Sequence, residues 1–166
     1  MSSSKGIDPF PTPRHNHSVC VNSAMHAAED YCRQAGVRLT ELRRRVLELV
    51  WNSHRPVGAY ELLEQLAPEG RKAAPPTVYR SLDFLLEHKL IHRIDSLNAY
   101  IGCTHPGHTH DAQFFICSEC GEAAELIDSK IEQALDQDAR QLGFNIEKQT
   151  IEIAGICRRC NKGRKK

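Results

Sequence analysis

Two cysteine pairs, Cys117-Ser118-Glu119-Cys120 and Cys157-Arg158-Arg159-Cys160, carry the chemistry most easily read from this chain. Each pair offers two thiolates from one tight turn, and four soft ligands at tetrahedral angles are what a structural zinc ion takes. The span between the pairs exceeds the ~15–20 residues of a compact zinc ribbon, so a shared ion would staple two distant segments of one domain. A redox role is the rival reading of a single CxxC, but it leaves the second pair unexplained. It would also need an exposed, reactive thiolate at a helix N-terminus, which neither pair clearly has.

The elements that must position these cysteines belong to a chain of 166 residues, 40% hydrophobic and 6% aromatic. That suits one ordinary domain or two small ones with modest cores and no large stacking platforms. No long apolar run could span a membrane, and residues 1–18 lack the basic-then-apolar layout of a signal peptide, so a cytoplasmic protein is expected. In a reducing compartment seven cysteines favour thiolate ligands over disulfides, and Cys20, Cys32 and Cys103 lie outside the pairs. The net charge of +1 hides an asymmetry: residues 37–93 hold ten Lys or Arg against seven Asp or Glu, whereas 94–156 hold three against eleven. A basic half suits phosphates, and an acidic half rich in Cys and His suits a metal cation.

Residues 1–18, rich in Ser, Pro and Asn, read as a flexible tail. Its His15 and His17, with Cys20 just beyond, could bind metal weakly. A helix is expected over 24–34, stopped by Gly36. A second runs from Thr40 to about Asn52 with Leu42, Val46, Leu49 and Val50 on one stripe, and a third covers 59–66. After Pro75 and Pro76 comes a helix whose Val78, Leu82, Leu85 and Leu86 form the buried stripe, followed by short strands over 91–94 and 99–103. The three short helices from Thr40 onward and a hairpin make a winged helix-turn-helix, whose last helix enters the major groove of double-stranded DNA. Thr77, Tyr79, Arg80 and Asp83 fall on its displayed face. Arg80 can reach a guanine edge, Thr77 and Tyr79 a phosphate or thymine methyl, and Arg43 lies off the buried stripe of the earlier helix as a further DNA-contacting candidate.

The second half opens with the histidine-rich stretch 104–110. Strands follow over 113–117 and 123–126, then a helix over 128–142 and a strand region over 144–153 whose alternation slips phase. A small open sheet with one helix has unprotected edges and an apolar face, which a second copy of the chain would cover. His92 on the first wing strand, Cys103 at the end of the second, His110 before the next strand and Glu125 past the first CxxC share a location at the junction between the halves. They could converge there if the wing folds back.

The start at Leu39-Thr40, the run Pro75-Pro76-Thr77-Val78-Tyr79-Arg80-Ser81-Leu82, the run Phe115-Ile116-Cys117-Ser118-Glu119-Cys120-Gly121 and the closing Gly155-Ile156-Cys157-Arg158-Arg159-Cys160 together resemble the ferric uptake regulator family. Within it the chain looks like the zinc uptake regulator branch. The resemblance implies an α+β fold, with an N-terminal winged helix-turn-helix domain over 19–103 and a C-terminal α/β dimerisation domain over 104–166 that contains a four-cysteine zinc site. It implies a homodimeric, zinc-dependent transcriptional repressor of zinc uptake genes with no catalytic activity and at least two zinc ions per chain. Cys117, Cys120, Cys157 and Cys160 would hold the structural ion, and His92, Cys103, His110 and Glu125 the regulatory one.

Iron-sensing members usually carry a denser His-His-Asp-His run where this chain has His105, His108, His110 and Asp111. That leaves open whether His108 replaces His110 and whether His105 and His108 contribute to a third site. An iron or peroxide sensor of the same family, or a zinc buffer without DNA binding, are the alternatives.

Overall fold

The computed structural model describes Phe10 and residues 16–69, 74–107 and 112–162. Two compact units result: residues 12–108, and residues 109–166 joined by Phe10. The division falls at 108/109 rather than at the expected 103/104. Within the first unit, Gly107, at φ +78°, lies so close to the Tyr31 ring that a Cβ there would collide with it.

In the first unit helix α1 spans His17–Gln34. It begins seven residues before the expected start, so residues 16–18 are not tail. The Asn16 side chain accepts from the Ser18 N–H, an N-cap that starts the helix ahead of its apolar stripe of Met25, Ala28 and Cys32. Helix α2, Glu41–Trp51, is capped by the Thr40 hydroxyl. The two-residue strand β1, Val57–Gly58, leads into α3, Ala59–Leu66. Helix α4, Pro75–Glu87, begins on two prolines, whose missing N–H groups cost nothing in a first turn. The wing consists of β2, Ile91–Ile94, and β3, Ala99–Gly102, joined by a 3-10 turn that Asn98 closes at φ +47°.

The wing sheet has the order β1-β3-β2, all antiparallel, with His92 opposite Ile101 and Ile91 opposite Gly102. Val46, Leu47, Val50, Leu62, Leu66, Val78, Leu82 and Leu85 are all but wholly buried. Burying each such aliphatic side chain contributes about 1.5–3 kcal/mol. The stripe expected on α4 differs in one place: Phe84 is buried and Leu86 only half-buried.

The second unit contains β4, Gln113–Cys117, β5, Ala123–Leu126, helix α5, Ser129–Leu142, strand β6, Ile151–Gly155, and the short α6, Arg158–Asn161. The sheet order is β5-β4-β6, with β5 antiparallel and β6 parallel to β4. Asp128 caps α5 by accepting from the Lys130 N–H, and Gly143 ends it at φ +64°. The strand expected over 144–153 is corrected: residues 144–150 form no strand, and pairing begins at Ile151. A parallel partner must be reached by a crossover, and 144–150 is spent returning the chain from α5 to the start of β6.

Candidate metal centre and nucleic-acid interface

The two CxxC turns sit where β4 ends and where the chain leaves β6. Parallel pairing places Cys117 beside Gly155, two residues before Cys157. The first turn is closed by the Gly121 N–H donating to the Cys117 carbonyl at 2.9 Å, with Gly121 at φ +72°. It is tied to β6 by Ser118, whose N–H and hydroxyl both donate to the Gly155 carbonyl, at 2.8 and 2.9 Å. An ion pair between Arg159 and Glu122, 2.8 Å, joins the two turns from outside. Ser118, Glu122 and Arg159 are supports the sequence reading passed over, although all three lie within or beside the CxxC pairs.

The four sulfurs converge within 4.8 Å of one another, with Cys120 Sγ 3.9 Å from Cys157 Sγ. Ligands at the Zn–S distance of ~2.3 Å stand ~3.8 Å apart on a tetrahedron, so this set fits a zinc ion almost as it stands. All four cysteines are free thiols. Burial raises the Cys117 thiol, but N–H groups of Cys120, Cys157 and Glu119 directed at it outweigh burial and bring it down to about 6. Cys160 is pushed up to about 12 by its hydrogen bond with the Cys157 side chain and then by burial, and burial also raises Cys120. Cys117 is thus more readily ionised than Cys120 or Cys160, and a bound cation displaces the protons that remain, giving four thiolate ligands.

The regulatory set expected from the sequence is divided between the units. In the first, His92 on β2 and buried Cys103, whose N–H donates to the Leu90 carbonyl at 3.1 Å, bring ligand atoms within 4.8 Å of each other. Trp51 packs on the residue before Cys103: its ring lies against Gly102 so closely that any Cβ there would fall inside it. Glu125 belongs to the second unit, on β5 opposite Phe114. His110, like His108, lies outside the described residues. His105 is described, exposed, with Nδ1 3.0 Å from the Thr104 hydroxyl.

Thr77, Tyr79, Arg80 and Asp83 are all exposed on α4, on the face opposite Val78, Leu82 and Leu85. They stand in or next to its first two turns, where N–H groups and the helix dipole favour phosphate. Arg43 is differently placed. Its guanidinium stacks on the Phe84 ring, 3.6 Å from the centroid, and donates to the Arg38 carbonyl at 2.8 Å, so it braces α2 against α4.

The model of the ferric uptake regulator family matches residues 34–154. The chain belongs to that family. Its branch is that of the zinc uptake regulators: the zinc uptake regulation protein of Escherichia coli (strain K12) is 39% identical over 134 residues, 80% of this chain and 78% of that one. Among solved structures, a zinc uptake regulator complexed with zinc and DNA is 36% identical, with a TM-score of 0.81 over 86% of this chain and 96% of that one. The holo form of XcZur is 41% identical, with a TM-score of 0.79 over 85% and 99%.

Proposed function

We propose that this family member is a zinc-dependent, DNA-binding transcriptional repressor of zinc uptake genes that acts as a homodimer in the cytoplasm. The observation that carries the reading lies within one unit: the imidazole of His92 and the thiol of Cys103, paired on the wing, share a fold with a helix that displays Thr77, Tyr79 and Arg80. A relative named for zinc uptake regulation, and a similar structure holding zinc and DNA, support the same conclusion. The family is one of regulators, and a ligand set filled by four side chains leaves no position for a catalytic water.

In this mechanism the four cysteines hold a permanent zinc ion, and His92, Cys103, His110 and Glu125 hold an exchangeable one. In this reading zinc occupancy governs how the recognition helices of a dimer are presented to the operator. A soft sulfur among the ligands favours zinc over manganese or ferrous iron. The dimer face is offered by the second unit, where Ile153 on β6, Leu142 at the end of α5, and Ile127, Phe144 and Ile156 in the connecting segments are exposed apolar side chains. No described helix is long and apolar enough to cross a membrane.

The test is operator binding as a function of free zinc for Cys103→Ser beside the parent, with DNA from a zinc uptake promoter. Loss of a direct ligand should shift the curve to higher zinc by at least about tenfold, since even outer-sphere changes cost that much. The variant should keep the zinc held by the four cysteines. Superimposable curves would remove Cys103 from the sensing site.

A further inference from the structure

The first unit holds another set of metal-ligating side chains, built from other elements. His17 is the first residue of α1 and Cys20 stands three residues on, so both lie on one face of the helix. His54 comes from the turn between α2 and β1. The structure brings His17 Nδ1 to 3.2 Å from His54 Nε2, with ring planes at 64°, and one ligand atom from each of His17, Cys20 and His54 lies within 4.8 Å of the other two. All three residues are half-buried, open to an ion and outside the packed core.

We propose that His17, Cys20 and His54 form a third zinc site, distinct from the four cysteines and from the set built on His92 and Cys103, which ties the start of α1 to the turn after α2. Nitrogens bound to one tetrahedral zinc at about 2.0–2.1 Å stand ~3.3 Å apart, so the imidazole spacing needs no rearrangement. A hydrogen bond between the two rings would explain that spacing alone, but not the thiol beside them. Sulfur with two imidazoles is a donor set for zinc rather than for calcium or magnesium. Three protein ligands leave the fourth position to water, so this ion is held less firmly than one caged by four thiolates and fills at higher free zinc. Helix α1 does not depend on it for its place. Met25, Ala28 and Cys32 are buried in the core, and Glu29 pairs with Arg44 of α2 at 3.1 Å.

The full-length protein tests this by competition with a chromophoric zinc chelator, comparing the parent with His54→Ala and Cys20→Ser. Each variant should bind one zinc fewer per chain, should lose the same single equivalent in a Cys103→Ser background, and should unfold in its zinc-free form at the parent's temperature. Equal zinc counts in parent and variants, or a loss in only one of the two, would overturn the proposal. The unmutated chain gives a second readout: zinc added beyond the two tighter equivalents should slow alkylation of Cys20, mapped by mass spectrometry. An alkylation rate indifferent to zinc would also overturn it.

Discussion

The two units are held together by different physics. Residues 12–108 close around a continuous apolar core in which Leu47, Leu62, Leu66, Val78, Leu82 and Leu85 are at most 1% exposed. The buried positions of the second unit are mainly small: Ala112, Ala123, Ala124 and Ala139, with Phe114 and Ile116 the large aliphatic or aromatic side chains. Gln113 is also buried there, its amide reaching the Asp128 carbonyl at 3.3 Å, and two more of the buried residues are the ligands Cys117 and Cys157. Where one unit relies on packing, the other relies on its cysteines and on an apolar face left for the proposed dimer partner. That difference suits a sensor, because the DNA-reading unit can stay folded whatever the metal supply.

The comparison breaks most visibly at the cysteines. Structural zinc contributes about 10–16 kcal/mol of apparent binding energy to small domains, so Cys157→Ser should lose the tightly held ion together with the fold of β4, β5 and β6. Hydrogen exchange should show those strands exchanging freely while α2 and α4 remain protected. A zinc-free variant that stays folded and dimeric would show that the second unit stands on its own packing. The converse substitution is Leu82→Ala, which opens a cavity in the first unit and should cost about 2–5 kcal/mol. Denaturant unfolding should register that loss in the first unit only, with the zinc content unchanged. Smallest is Arg80→Ala, with an expected cost of about 1–3 kcal/mol in specific operator binding and none in stability or zinc content. Unaltered operator affinity would place base recognition elsewhere on the wing unit.

Much of this was legible because local signals and tertiary contacts agree. Helix α3 and strands β2, β4 and β5 fall where periodicity places them, and Thr40, Pro75 and Asp128 mark helix starts by their side-chain chemistry. The failures are places where one level of structure says nothing about the next. Strand β1 is two residues long, one of them glycine, and exists only because β3 pairs with it. Phe144 and Ile146 alternate like a strand, yet the segment serves as a crossover and Phe144 stays 66% exposed. Arg43 reads in the sequence as a DNA-contacting candidate, and nothing there shows that Phe84, forty-one positions away, lies beneath its guanidinium. Among the ligands, two CxxC pairs name their own partners, whereas His54 carries no mark linking it to His17 and Cys20. Only the packing of α1 on α2 makes them neighbours.

Trp51 is the chain's single tryptophan, and its indole rests on the backbone one residue before Cys103. Tryptophan emission responds to the polarity and quenching groups within a few ångströms, and a thiol exchanged for a metal-bound thiolate changes both. If Cys103 is a ligand of the proposed exchangeable zinc, the protein carries a native optical probe one residue from it. Its fluorescence would then follow metal arrival at that position in real time, without a label and without DNA.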